Sequence, residues 1–169
     1  MLPQLAFFGS IAFSLIAWGI VTARYISPQL HDRRRSDALR PLLILHSFRF
    51  VGLAFLVPGV VSPDLPRAFA TSAAFGDIVA ATLALLSLLS LRSALGVFVV
   101  WIFNVWGSLD LVNGFYEANA AGLSPGQFGA TFFIPTLVVP LLLITHALVF
   151  RVLWQHQHEP VMGASRKPA

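Results

Sequence analysis

Cysteine is absent from this sequence, and charge is scarce. Without a thiol the chain can form no disulfide, thiolate metal site, iron–sulfur cluster or cysteine nucleophile. Charged residues make up only 11% of the chain, whereas a soluble globular protein carries about a quarter. No stretch alternates apolar and polar residues as a membrane β-barrel strand does. His-x-x-x-His and Glu-x-x-His pairs are missing too, so the sequence has no linear metal-ligand motif. With no nucleophile and base in a recognisable arrangement, the chain does not read as an enzyme.

What the sequence does have is apolar length. Of 169 residues, 57% are hydrophobic, and the mean hydropathy is +0.79. Five apolar segments are bounded by turn or charge signals, at about 4–26, 41–61, 68–91, 94–116 and 130–154. Each is about as long as a helix that crosses ~30 Å of hydrocarbon. Lipid offers no partners to exposed backbone groups, so these segments are expected to be helices. The fold class is therefore all-α, a polytopic membrane protein built as a five-helix bundle over 1–155, with no separate soluble domain. Residues 156–169 form a cytoplasmic tail expected to be disordered. The first segment lacks a basic leader and a small-residue cleavage site, so it is read as retained. The short connection around Arg92 makes the third and fourth segments an antiparallel hairpin.

Arginine and lysine give the orientation. Arg24, Arg33, Arg34, Arg35, Arg40, Arg92, Arg151, Arg166 and Lys167 fall on one side, and Arg67 on the other. The positive-inside rule then places the N-terminus outside and the C-terminus in the cytoplasm. The cluster Arg33, Arg34, Arg35 and Arg40 is accounted for by this topogenic role, with binding of anionic lipid or an acidic partner as the alternative. The basic residues are not interleaved with aromatics on a soluble surface, so nucleic acid is not an expected partner. His156 and His158 in the tail are too few ligands to define a metal site.

Polar residues inside the apolar segments are the informative ones, because each costs at least ~2.5 kcal/mol at membrane depth unless it faces the bundle and finds a partner. Counting ~1.5 Å per residue from Pro41, His46 lies ~8 Å deep and Arg49 ~12 Å deep, on one helical face. Arg49 is too deep to reach the surface and needs an anion or carbonyl partner. In the third segment Ala70, Ala74, Asp77, Ala81 and Ala84 form one stripe of small residues, which puts Asp77 inside a close helix–helix seam. The fourth carries Asn104 and, one turn on, Ser108; Asp110 and Asn113 are expected to point elsewhere, nearer the outer surface. Trp101 and Trp106 read as packing or interface residues, with the lining of a cavity as the alternative. In the fifth, Pro135 and Pro140 interrupt the backbone ladder, and Thr136 stands ready for a freed carbonyl. His146 lies at the depth of His46.

Four stretches carry a resemblance: "FRFVGLAFLV", "PRAFATSAAFGDIVAA", "NVWGSLDLV" and "IPTLVVPLLLITHALVFRVL". In these the chain resembles an uncharacterised family of small bacterial integral membrane proteins, over roughly residues 45–154 and not the first segment. Leu65, Pro66, Phe69, Ala70, Gly76 and Asp77 keep the family's pattern, while its Pro-x-Gly turn is replaced in "SPDLP". The resemblance implies a shared helical bundle in which Arg49, Asp77, Asn104 and His146 match, in a bacterial inner membrane. It implies no activity. The porphyrin-binding translocator-type proteins share the helix count, but their Trp-Tyr and Pro-rich signatures are absent here.

The residues support three functional expectations. The first is an accessory or scaffold membrane protein in which Arg49 and Asp77 pair and the histidines with Asn104 complete the network, in a homo-oligomer or beside a partner subunit. The second is proton, ion or small-ligand binding or transport at Arg49, Asp77, Asn104 and Ser108. A five-helix chain without an internal repeat would have to dimerise to make an alternating-access transporter. The third is a redox or metal protein in which His46 and His146 ligate a haem or, with Asp77, a metal ion. No cofactor is required by the sequence.

Overall fold

Runs of apolar residues interrupted by charge and by Pro-Gly signals fold here into helices and short connections. The computed structural model describes residues 1–93 and 95–156, and no strand occurs among them. Five helices are long and apolar enough to cross a membrane: α1 (Leu2–His31), α2 (Arg35–Leu56), α3 (Arg67–Ser90), α4 (Gly96–Ala120) and α5 (Ile134–Gln155).

Several boundaries differ from those read in the apolar pattern. α1 runs past residue 26 to His31, through a π-helical turn at Thr22–Ile26, because polar residues end an apolar run without ending a helix. α2 begins at Arg35 rather than at 41, with Asp37 in its first turn, where a carboxylate favours the helix dipole. It stops at Leu56 rather than 61, because Val57 precedes Pro58 and is extended (φ −91°, ψ 115°). The stretch 130–132 belongs to a 3-10 segment, Pro125–Phe132, that leads into α5.

α2 changes helix type half-way, and the change positions the site. Over Arg35–Ser47 it is α-helical and buries Ala38, Leu39, Leu42, Leu43 and His46, a spacing near 3.6. Over Phe48–Leu56 it tightens to a 3-10 helix that buries Arg49, Gly52 and Phe55. In a helix of three residues per turn these positions eclipse one another, so all three line one straight edge.

α3 and α4 form the expected hairpin and pack along their length, and the 3-10 half of α2 lies against α3. All five residues of the small-residue stripe, Ala70, Ala74, Asp77, Ala81 and Ala84, are buried. α5 opens with a π-helical turn at Ile134–Val138, where Pro135 interrupts the ladder and the Thr136 hydroxyl donates to the Phe132 carbonyl at 2.7 Å. α1, the least buried of the five, packs on α5, and its Trp18 Nε1 donates to the Leu137 carbonyl of that π turn at 3.2 Å. Apolar side chains form two clusters. One joins Leu39, Leu43, Val100, Phe103 and Val149, and the other joins Phe7, Phe55, Phe69, Phe128 and Ile134.

Candidate functional site: an arginine between two carboxylates beneath an aromatic cavity

Arg49 stands on the 3-10 edge of α2 and is 1% exposed. Its Nε donates to Asp77 Oδ1 on α3 at 2.7 Å, and its Nη2 to Asp110 Oδ2 on α4 at 2.6 Å. Nη1 donates to the Gly107 carbonyl at 3.1 Å and faces His146 Nε2 at 3.4 Å. A guanidinium cannot shed its charge, so each of these contacts is charge-assisted. The partner expected from depth is thus two carboxylates and a carbonyl, supplied by two helices.

Three glycines make the room for this. A methyl group added at Gly52 would run into the Asp77 carboxylate, and one added at Gly76 into that of Asp110. At Gly107 it would lie 2.6 Å from His146 Cε1 and 2.9 Å from Arg49 Nη1. Close approach of the α2, α3 and α4 backbones is therefore what lets short aspartates reach one guanidinium.

A second layer orients His146. Asn104 Oδ1 lies 2.7 Å from His146 Nδ1, and Asn104 Nδ2 donates to the His146 carbonyl at 3.2 Å. An amide oxygen only accepts, so the ring proton sits on Nδ1 and the Nε2 lone pair turns to Arg49. The His46 ring lies 4.1 Å from that of His146, centroid to centroid. The Thr145 hydroxyl donates to the Leu141 carbonyl at 2.9 Å, which leaves its oxygen to accept from His46 Nε2 at 3.0 Å. His46 Nδ1 is buried and has no hydrogen-bond partner.

Asp77 and Asp110 also form the floor of a cavity of ≈ 470 Å³. Its walls carry six phenylalanines, Phe7 and Phe8 from α1, Phe55 from α2, Phe69 from α3, Phe115 from α4 and Phe128 from the 3-10 segment; Gln4 and Asn119 add polar groups. Gln4 and Asn119 are exposed, while Asp77, Phe55, Phe69 and Phe128 are buried, so the cavity runs from the surface to the charge cluster.

The arrangement corrects several expectations. Asp110 does not point away. It stands three residues after Gly107 on the same face of α4, and Arg49 spans both. Ser108 does not join the cluster, because its hydroxyl bonds back to the Asn104 carbonyl at 2.7 Å. Asn113 does lie apart, bonded to Glu117, which also receives Ser72. Trp101 packs against Phe150 and Trp154, and Trp106 is half exposed; neither lines the cavity.

His46 and His146 do not fit as axial ligands to one haem, since rings in contact at 4.1 Å leave no space for a macrocycle between them. Asp77 turns to Arg49 and not to the histidines, and no three histidine or carboxylate side chains among the described residues gather as a metal site. His156 Nδ1 meets the Val152 carbonyl at 2.9 Å. His158, Arg166 and Lys167 lie outside the described residues. Of the basic cluster, Arg33 and Arg40 line an open pocket with Asp37, Pro41 and Ile44, Arg35 donates to the His156 carbonyl at 3.1 Å, and Arg34 occupies the position just before the first turn of α2.

With this geometry in hand, the comparison with known proteins has one positive result, a match over residues 6–154 to a family described as a domain of unknown function, DUF8737. The chain belongs to that family. The match takes in most of α1, which the residues carrying the sequence resemblance did not reach, and it ends just short of the end of α5. No curated protein and no solved structure matches the chain. Family membership thus agrees with an uncharacterised family and assigns no activity, so what the site does has to be argued from its own chemistry.

Proposed function

We propose that this chain is a multi-pass protein of a bacterial cytoplasmic membrane, with its N-terminus outside and its C-terminus inside, and that it binds a small ligand in the aromatic cavity above Arg49. The membrane setting is supported by five helices of spanning length and by the apolar groups they leave uncovered, among them Phe13, Leu89, Phe98, Leu109 and Leu137. The orientation rests on the arginine bias of the connections.

The ligand-binding reading rests on one observation. The carboxylates held by Arg49 open onto a cavity instead of being sealed in a helix seam. Holding the helices together needs only the network on Arg49, and a close-packed interior would leave no roomy apolar cavity above the carboxylates. Concave apolar sites with a few convergent polar groups are where small molecules bind. The scaffold reading keeps one argument of its own. Arg49, His146 and Asn104 satisfy one another in a closed network that ties α2, α3, α4 and α5 together.

The test uses Gly114, which lines the cavity and has nothing within 4 Å of an added Cβ. Gly114→Phe fills the cavity without disturbing the cluster. Thermal unfolding is followed for both proteins in maltoside micelles against small apolar-bodied molecules of positive, neutral and negative charge. Compounds that stabilise the wild type and leave Gly114→Phe unmoved support a binding site. A wild type that responds to none of them sinks the reading and leaves the scaffold.

A further inference from the structure

The geometry points to an organic cation with an apolar body as the occupant of this cavity, its charge placed against Asp110 and Asp77 and its body against the phenylalanine walls. This rests on the ligand-binding reading above and names the ligand's class.

Charge count comes first. One guanidinium faces two carboxylates, so with both ionised the cluster carries one negative charge that no neighbouring arginine or lysine side chain of the cavity offsets. Arg49 takes one oxygen of each aspartate, Asp77 Oδ1 and Asp110 Oδ2. The second oxygen of each receives no hydrogen bond among the described residues, and both aspartates line the cavity. An anion would meet like charge at that floor. Beside a neutral molecule the excess carboxylate would have to take up a proton to shed its charge, whereas a cation supplies the counter-charge itself.

The walls decide between kinds of cation. A hard metal ion seeks about six oxygen ligands, and above the two aspartates this cavity offers phenyl rings. Phenyl faces suit an ammonium group, because their quadrupole attracts a cation and their carbon surface takes its substituents. The volume of ≈ 470 Å³ is that of a small-molecule site.

The experiment compares three molecules of one shape: benzyltrimethylammonium, its uncharged carbon isostere neopentylbenzene, and phenylmethanesulfonate. Binding to the full chain in maltoside micelles is measured by equilibrium dialysis, with empty micelles subtracted. The expected result is one saturable site that prefers the ammonium by at least about tenfold over both others. Asp110→Asn should erase most of that preference, and Gly114→Phe should abolish saturable binding. If the isostere or the sulfonate binds the wild type as well as the ammonium does, and Gly114→Phe loses it, the cation assignment falls and the ligand-binding reading stands. An Asp110→Asn protein that keeps the full preference also overturns the assignment. If none of the three binds the folded wild type, both fall together. Should Asp110→Asn fail to fold, the wild-type order of the three probes and the Gly114→Phe result still decide.

Discussion

Asn104 holds His146 at two points at once, through the ring Nδ1 at 2.7 Å and the backbone carbonyl at 3.2 Å. The pair fixes the ring's tautomer and aims its lone pair at Arg49. Asn104→Leu removes both bonds and leaves the buried Nδ1–H without a partner, so it is expected to cost about 1–3 kcal/mol. Unfolding in maltoside micelles measures this. A variant as stable as the wild type would mean that His146 finds another acceptor.

The two histidines are expected to behave differently despite their contact. His46 makes one hydrogen bond, to Thr145, and keeps an unpartnered nitrogen. His46→Leu should therefore change stability by no more than about 1 kcal/mol. His146→Leu orphans the Asn104 oxygen and should cost about 1–3 kcal/mol. Equal costs for the two, in the same unfolding assay, would contradict this asymmetry.

Arg49 bridges two aspartates, so its loss leaves like charges facing each other. Arg49→Met alone is expected to destabilise by about 3–5 kcal/mol. Combining it with Asp77→Asn and Asp110→Asn should recover much of that, and the size of the recovery is the coupling among the three. Additive losses in the multiple variant would show that the charges do not act as a unit.

Two glycines on α4 make a matched pair. Gly107→Ala pushes a methyl into His146 and Arg49 and should cost about 1–3 kcal/mol. Gly114→Ala meets open space and should be neutral or stabilise by up to about 1 kcal/mol, since alanine loses less freedom in a helix. The melting temperatures should move in opposite directions or by clearly different amounts.

The orientation can be read directly, because the chain has no cysteine of its own. In intact cells an impermeant maleimide should label Gly126→Cys, and it should reach Ser93→Cys only after permeabilisation. The reverse pattern would invert the topology, and labelling of both would argue against a membrane-spanning bundle.

Much of the site was visible in the chain as isolated residues. Arg49, Asp77, Asn104 and His146 stand out because each is a polar group in an apolar run, and polar groups there must find partners. Asp110 does not stand out in this way, because helical spacing from Asn104 points it elsewhere. It shares its face of α4 with Gly107, which has no side chain to mark that face. Ser108 shares a helical face with Asn104 by spacing, but its hydroxyl closes on its own helix. The glycines gave a faint signal, each lying in a segment that also holds a charged or polar residue, but which carboxylate a glycine admits is a property of the neighbouring helix.

By itself the sequence determined the helical class, the five apolar helices, the hairpin of the third and fourth, and the need for an interior partner to Arg49. These follow from local chemistry, since apolar length and the solvation of a charge are carried by the residues themselves. The tertiary structure alone decided that Arg49 serves two aspartates, that α2 tightens to a 3-10 helix to line up Arg49, Gly52 and Phe55, that the histidine rings lie too close for a haem, and that the carboxylates open onto an aromatic cavity. Those depend on how near three backbones come and which faces they turn to one another, a sum of contacts between residues far apart in the chain, His46 and His146 among them, that no single segment specifies.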